Sequence, residues 1–339
     1  MIELPGKLGL LLPQFLVLLL AFGAFVLIGV ILVRRKKIRQ STLTFHLFIS
    51  PWTIGFLFLT LGPILYSLYL SFTEWDIVNP PKFVGTDNYE RVFTGDASFY
   101  KSLTVTFYYT FLSVPLQLVL GFAVALLMNQ KVPGMRIFRT VYYVPSLVSG
   151  VAVSVLWLWI FHPNFGLLND VLGVFGIEGI NWLMDVNWAL PSLILMSLWG
   201  IGGTMVIYLA GLQDIPATLY EAAEIEGANR WHKLRYVTIP MMTPIIFFNL
   251  IMGIIGSFQT FTQAFIMTEG GPKDSTLFYV LKLYNHAFLW FEMGYASALA
   301  WVLFVILIIF TALVFRSSAM WVYYEGEVKK QRKGARAHG

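Results

Sequence analysis

Cysteine is absent from the 339 residues. The chain therefore builds neither a disulfide framework nor a thiolate metal site. Charge is scarce as well: Asp, Glu, Lys and Arg supply 12% of the sequence, about half the share of an ordinary soluble domain. No Gly-x-x-x-x-Gly-Lys-Ser/Thr phosphate loop occurs, so ATP is not hydrolysed by this chain. A His-Glu-x-x-His helix and a Gly-x-Ser-x-Gly elbow are missing too. The histidines (His46, His162, His232, His286 and His338) are scattered over different connections and ends, with no ligand cluster among them. Together these gaps argue against an enzyme and against a metal site. Internal repeats and low-complexity stretches are also lacking, which points to one continuous domain.

What is abundant is apolar surface. Hydrophobic residues make up 58% of the chain and mean hydropathy is +0.72. A single water-soluble core cannot hold so much, and lipid is its natural solvent. A helix needs about 20 mostly apolar residues to cross the hydrocarbon layer. Seven segments meet that length: Leu8–Val33, Phe45–Phe72, Leu103–Met128, Phe138–Phe161, Ala189–Leu212, Pro244–Met267 and Ser297–Phe315. Backbone groups in lipid must be satisfied within their own segment, so these read as helices. The predicted fold class is an all-α, polytopic helical bundle of about seven spans.

The net charge of +5 could suggest a nucleic acid partner, but its distribution excludes that. One set of connections, with Arg34–Lys37, Lys131, Arg136, Arg139, Arg230 and the tail Lys329–Lys333, carries a balance of +11. The opposite set carries −6. Cytoplasmic loops collect Lys and Arg, which places the first set inside, the amino terminus outside and the carboxyl terminus in the cytoplasm. The first span is read as retained rather than cleaved: it is too long for a signal peptide's apolar stretch, lacks a small-residue cleavage site and ends in four cations. Residues 1–44 are thus an extra amino-terminal span with a basic linker, 45–320 the transmembrane core, and 321–339 a basic tail. The three outer connections, Thr73–Ser102, His162–Trp188 and Thr268–Tyr295, are rich in Gly, Pro and aromatics. They read as turns and surfaces that fold back on the membrane interface.

Most inner connections are short. The exception is 213–243, containing Pro216, Glu221-Ala222-Ala223-Glu224, Gly227 and Ile239-Pro240. Pro216 suits the first turn of a helix, and Gly227 permits a sharp change of direction. Arg230–Val237 continues as a second helical stretch that Pro240 is expected to stop. Two small residues flatten the first helix, while Glu221 and Glu224 lie about one turn apart. By residues alone, this is either a partner-docking element or an interfacial amphipathic helix.

Here the sequence resembles a known family. Glu221-Ala222-Ala223, Gly227-Ala228 and Ile239-Pro240 at this spacing resemble the EAA loop of ABC importer permeases. Ser71–Asp76, Val84–Tyr89, Phe138–Thr140, Thr268–Pro272 and Gly294–Ala298 are similar to the carbohydrate, maltose-permease type, along nearly the whole chain. Glu226 departs from the family's usual Asp but keeps the charge. The resemblance implies a type I importer permease architecture that moves a sugar or oligosaccharide by alternating access. It implies as partners a second homologous permease subunit, a dimer of ATP-binding subunits that use the ATP and magnesium, and an extracytoplasmic solute-binding protein. No cofactor is expected on this chain. Glu221, Ala222, Ala223, Glu224 and Gly227 would couple to the ATPase.

By position in the same motif frame, Ser146, Gly150, Trp199, Gly200, Ser257 and Thr260 fall where such permeases line their central site. Gln263 joins them by spacing, since Ser257, Thr260 and Gln263 at i, i+3 and i+6 share a helix face. Helix packing explains the small residues equally well. A solute such as glycerol phosphate, or a secondary transporter acting alone, are the alternatives; the latter would need ionisable residues inside the spans, and none is placed there.

Overall fold

The computed structural model describes residues 39–323, together with Gly23 and Ile31. Apart from those two residues, the first predicted span lies outside the described residues, as does the basic tail beyond Tyr323. The chain forms two compact units, Met1–Leu70 and Ser71–Gly339. In the first, an apolar helix α1 covers Ser41–Leu70. It loosens into a π turn at Phe56–Leu61, where the Gly62 amide reaches back five residues to the Leu57 carbonyl. Pro63 follows immediately and has no amide to offer, so the wider turn absorbs the missing hydrogen bond.

The second unit is organised on α2, Ala97–Met128. Asp96 starts it by accepting from the Ser98 and Phe99 amides at 3.0 and 3.2 Å, satisfying donors that a helix start leaves free. At the other end, the Arg139 guanidinium donates to the Met128 carbonyl at 2.8 and 3.1 Å. Between these caps α2 feeds three buried clusters, with Phe99 in one, Tyr109 in another, and Ala125 and Met128 in the third. It is the spine of the unit.

Among the described residues, four helices are long and apolar enough to cross a membrane, and up to six if each of two bent pairs counts as one span. Six of the seven predicted spans thus have a counterpart. Two are not straight. Phe138–Phe161 breaks by 100° between Met135–Leu147 and Gly150–Ile160. Helix α3 (Met135–Tyr143) runs into a tight turn holding Pro145, and Ser149 caps the start of α4 (Gly150–Ile160). Ala189–Leu212 bends by 44° between Ala189–Gly200 and Gly202–Asp214. We call the regular parts α5 (Ala189–Ser197) and α6 (Gly202–Asp214). Both breaks border the cavity described below.

Two further expectations are corrected. Pro240 does not stop the helical stretch after Gly227. The run from Arg230 continues into α8 (Ile239–Phe258), after α7 (Ala217–Ile225), because a π turn at Leu234–Thr238 lets the Ile239 amide bond to the Leu234 carbonyl. That shift makes room for a residue without an amide. Nor do Ser257, Thr260 and Gln263 share one uninterrupted helix face. α8 ends at Phe258, and a short helix α9 (Thr262–Met267) begins after a break.

The outer connection Thr268–Tyr295 is not a loose surface loop; Ser275–Lys282 is almost wholly buried, and the segment contains α10 (Tyr279–Tyr284). Lys282, only 2% exposed, is one of its anchors. Its ammonium pairs with Asp96 and donates to Ser98 Oγ at 2.6 Å, and it lies 3.2 Å from His286 Nε2. His286 Nδ1 meets Glu292 at 2.7 Å, and Arg91 grips Glu292 with two bonds of 3.0 Å. Arg91 lies over the Tyr295 ring, whose hydroxyl donates to Asp96 at 2.6 Å, so the circuit closes. Burial opposes the Asp96 charge, but bonds from Lys282, Tyr295 and Ser98 outweigh it and hold the carboxyl well below its usual range. Burial lowers His286, which keeps the imidazole neutral and able to accept from Lys282.

Three of the sequence signatures meet beside this circuit. The Asn88 amide donates to the Ser71 and Thr73 carbonyls at 2.9 Å each, and Thr73–Glu74 pairs with Lys82–Phe83 as a two-stranded ribbon. Gly294 opens the last helix, α11 (Met293–Trp321), against the same ribbon, so closely that a Cβ there would run into the Thr73 carbonyl. Gly294→Ala is therefore expected to destabilise the protein by about 1–3 kcal/mol through overpacking. Thermal unfolding in detergent, with Gly173→Ala as the control in open space, checks it.

Candidate translocation cavity and coupling loop

The breaks in the α3–α4 and α5–α6 pairs, together with the end of α8, surround a cavity of about 560 Å³. That is ample for a small solute. All seven residues singled out from the sequence line it: Ser146, Gly150, Trp199, Gly200, Ser257, Thr260 and Gln263. Helix breaks explain why. A break frees backbone groups and turns side chains off a regular face, which a spanning segment tolerates where it borders a cavity.

The packing alternative divides by residue. Gly200 and Gly256 have no atom within 4 Å of where a Cβ would stand, so they contribute open volume. Gly202 and Gly253 instead abut the Tyr142–Tyr143 backbone and Val114. Ser257 serves packing: its hydroxyl lies 2.9 Å from both Thr110 Oγ1 and the Ile254 carbonyl.

Sequence reasoning missed part of the lining. Tyr109, Gln117, Ser197 and Asn249 also face the cavity. The Gln117 amide donates to Ser197 at 3.0 Å, which fixes the amide across the α2–α5 contact. The signal was present, since Gln117 and Asn249 are isolated amides inside apolar runs, where polar groups are costly without a partner. Trp199 stands edge-on to Trp157 at 6.2 Å, which braces it from the core side. Among the described residues, the lining holds no Asp, Glu, Lys, Arg or His. It offers hydroxyls, amides and apolar ring faces.

The second candidate element is the loop after α6. Pro216 precedes α7 and the chain reverses at Gly227, whose φ is +79°. The Gly227 amide bonds the Glu224 carbonyl at 3.0 Å, and the Ala228 amide bonds that of Ala223 at 2.9 Å, a left-handed helix stop that glycine adopts without steric cost. Glu224 reaches Lys233 at 2.6 Å, tying the two helical pieces into a hairpin. That bond holds the Glu224 carboxyl below its usual range. Glu221, Ala222 and Gly227 are exposed and Ala223 is half-buried. Two apolar side chains stand out beside them: Ile225 is 90% exposed and Trp231 69%. No acid lies in the first turn of α7. The glutamates follow later and project from the middle and end of the helix.

Apolar spans, an exposed hairpin and a cavity at helix breaks together suit the membrane subunit of a transporter. Residues 117–320 match the family of binding-protein-dependent transport system inner membrane components, and the chain belongs to it. It is 45% identical over 298 residues to the probable ABC transporter permease protein YesP of Bacillus subtilis, covering 87% of this chain and 96% of that one. It is 32% identical over 320 residues to the diacetylchitobiose uptake system permease protein NgcF of Streptomyces coelicolor, covering 90% of each. In fold it is similar to a subunit in the crystal structure of a bacterial alginate ABC transporter with its pentasaccharide-bound periplasmic protein. There the TM-score is 0.72 and the identity 20%, over 84% of this chain and 96% of that one.

Proposed function

We propose that this chain is one of two pore-forming subunits of an ATP-driven importer for a sugar or oligosaccharide. An extracytoplasmic solute-binding protein delivers the solute to the outer face. A dimer of separate ATPase subunits, using ATP and magnesium, docks on the hairpin built around Glu221, Ala222, Ala223, Glu224 and Gly227. Nucleotide-driven closure of the ATPases swings the two permease subunits between outward- and inward-open states. The amino terminus lies outside and the carboxyl terminus in the cytoplasm, an orientation that the basic inner connections support.

The observation that carries the solute class is the cavity lining. Amides and hydroxyls from Gln117, Ser197, Thr260 and Gln263, beside the Trp199 ring, match a solute with many hydroxyls and apolar ring faces. A phosphorylated solute would leave its charge without a cation there. Relatives named for diacetylchitobiose, starch products and trehalose/maltose uptake support the same reading.

The test is uptake of a panel of radiolabelled saccharides by vesicles holding this chain with its cognate subunits and binding protein. Uptake of at least one neutral saccharide that stops when ATP is withdrawn is the expected result. Transport by this chain alone, driven by an ion gradient, would overturn the proposal.

A further inference from the structure

The α2–α3 turn, at the end of the unit that carries the hairpin, holds a second cavity of about 620 Å³. Its lining includes Lys131, Arg136 and Arg139 and no acid. Arg139 is committed to the Met128 carbonyl. Lys131 and Arg136, both exposed, form no ion pair among the described residues. Gln130 and Gln213 add neutral donors. Helix α3 begins at this cavity with no acid in its first turn, so the positive end of its peptide dipoles also faces inward.

The rest of α3 narrows the ligand. Arg136 and Arg139 share one side of the helix, while Ile137, Phe138 and Val141 lie on another, and Ile137 is 69% exposed. A cationic pocket at a span end, next to an exposed apolar stripe, fits a molecule with an anionic head and acyl chains. We propose that this pocket is a binding site for the phosphate head of an anionic phospholipid, whose chains run along the apolar side of α3. The site goes beyond solute transport and holds whatever the transported solute is. Bound lipid would brace the turn that precedes the 100° break, and through it one wall of the translocation cavity.

The experiment is native mass spectrometry of the assembled transporter in detergent, titrated separately with phosphatidylglycerol, phosphatidylcholine and inorganic phosphate. The variants are Lys131→Gln/Arg136→Gln and, as a charge-keeping control, Lys131→Arg/Arg136→Lys; Arg139 is left intact because it caps α2. Phosphatidylglycerol should bind the wild type and the control more tightly than phosphatidylcholine. Binding should weaken about 30-fold in the Gln double variant, the loss of two headgroup charges. Equal phosphatidylglycerol affinity in wild type and Gln variant would overturn the proposal. So would inorganic phosphate binding as tightly as the lipid, which would leave the apolar stripe without a role. Loss of the ATPase subunits from the Gln variant alone would instead make this face a protein contact, and would also overturn it.

Discussion

Glu221→Lys is expected to abolish ATP-dependent uptake while leaving this chain folded in the membrane. Glu221 is exposed and its side chain forms no hydrogen bond or ion pair among the described residues; the hairpin's ion pair is that of Glu224 and Lys233. Its charge is available to a partner. Reversing one member of a charge pair at a desolvated interface costs about 2–5 kcal/mol, roughly 30-fold to several thousand-fold in affinity. The ATPase subunits should therefore be lost on purification, or remain and hydrolyse ATP without transport. Gly227→Pro reaches the same end differently. Proline fixes φ near −65° and has no amide, whereas this position needs +79° and donates to the Glu224 carbonyl. Gly227→Ala is milder, at about 1–2 kcal/mol for the left-handed backbone alone. Full uptake in both Glu221→Lys and Gly227→Pro would defeat the coupling role.

The second large effect concerns the cavity. Gly256→Phe places a ring where no atom now lies within 4 Å of the Cβ position, so the change takes volume from the cavity rather than from packing. A solute forced to share that space meets overpacking of about 1–3 kcal/mol, a fall in uptake of about 5- to 150-fold. The complex should still assemble with its ATPase subunits. Gly253→Phe provides the contrast: it collides with Val114 between α2 and α8 and should lower stability itself. Unchanged transport in a stably assembled Gly256→Phe complex would remove the cavity from the solute's path.

The parts of the fold legible in the sequence were those set by solvent and by local punctuation. Apolar length marked the spans, since helices are the structure by which such runs satisfy their backbone in lipid. Gly227 was legible because a helical run ended at it, and it does take the left-handed conformation. Pro240 misled for an instructive reason. Its missing amide predicts a helix end, but a π turn ending two residues upstream absorbs it, and no local pattern signals that adjustment. Ser257, Thr260 and Gln263 were brought to one cavity by a helix break rather than by the even spacing that suggested them.

The closed circuit through Asp96, Lys282, His286, Glu292 and Arg91 was out of reach. Its members lie up to 201 residues apart, and each looked like an ordinary charge in an outer connection. Only tertiary folding buries them together. The same holds for Gly294, whose necessity comes from the Thr73 carbonyl of a ribbon far away in the chain. Gln117 and Asn249 were findable, because an isolated amide in an apolar run already asks for a partner.

The absence of native cysteine makes the decisive measurement clean. With Glu221→Cys as the sole thiol of this chain, a membrane-impermeant maleimide should label inside-out vesicles stripped of the ATPase subunits but not intact cells. Docked ATPase subunits should shield the thiol, and stripping them should expose it. Labelling of intact cells from the outside would contradict the account at its base, because a hairpin on that face cannot be moved by a cytoplasmic ATPase.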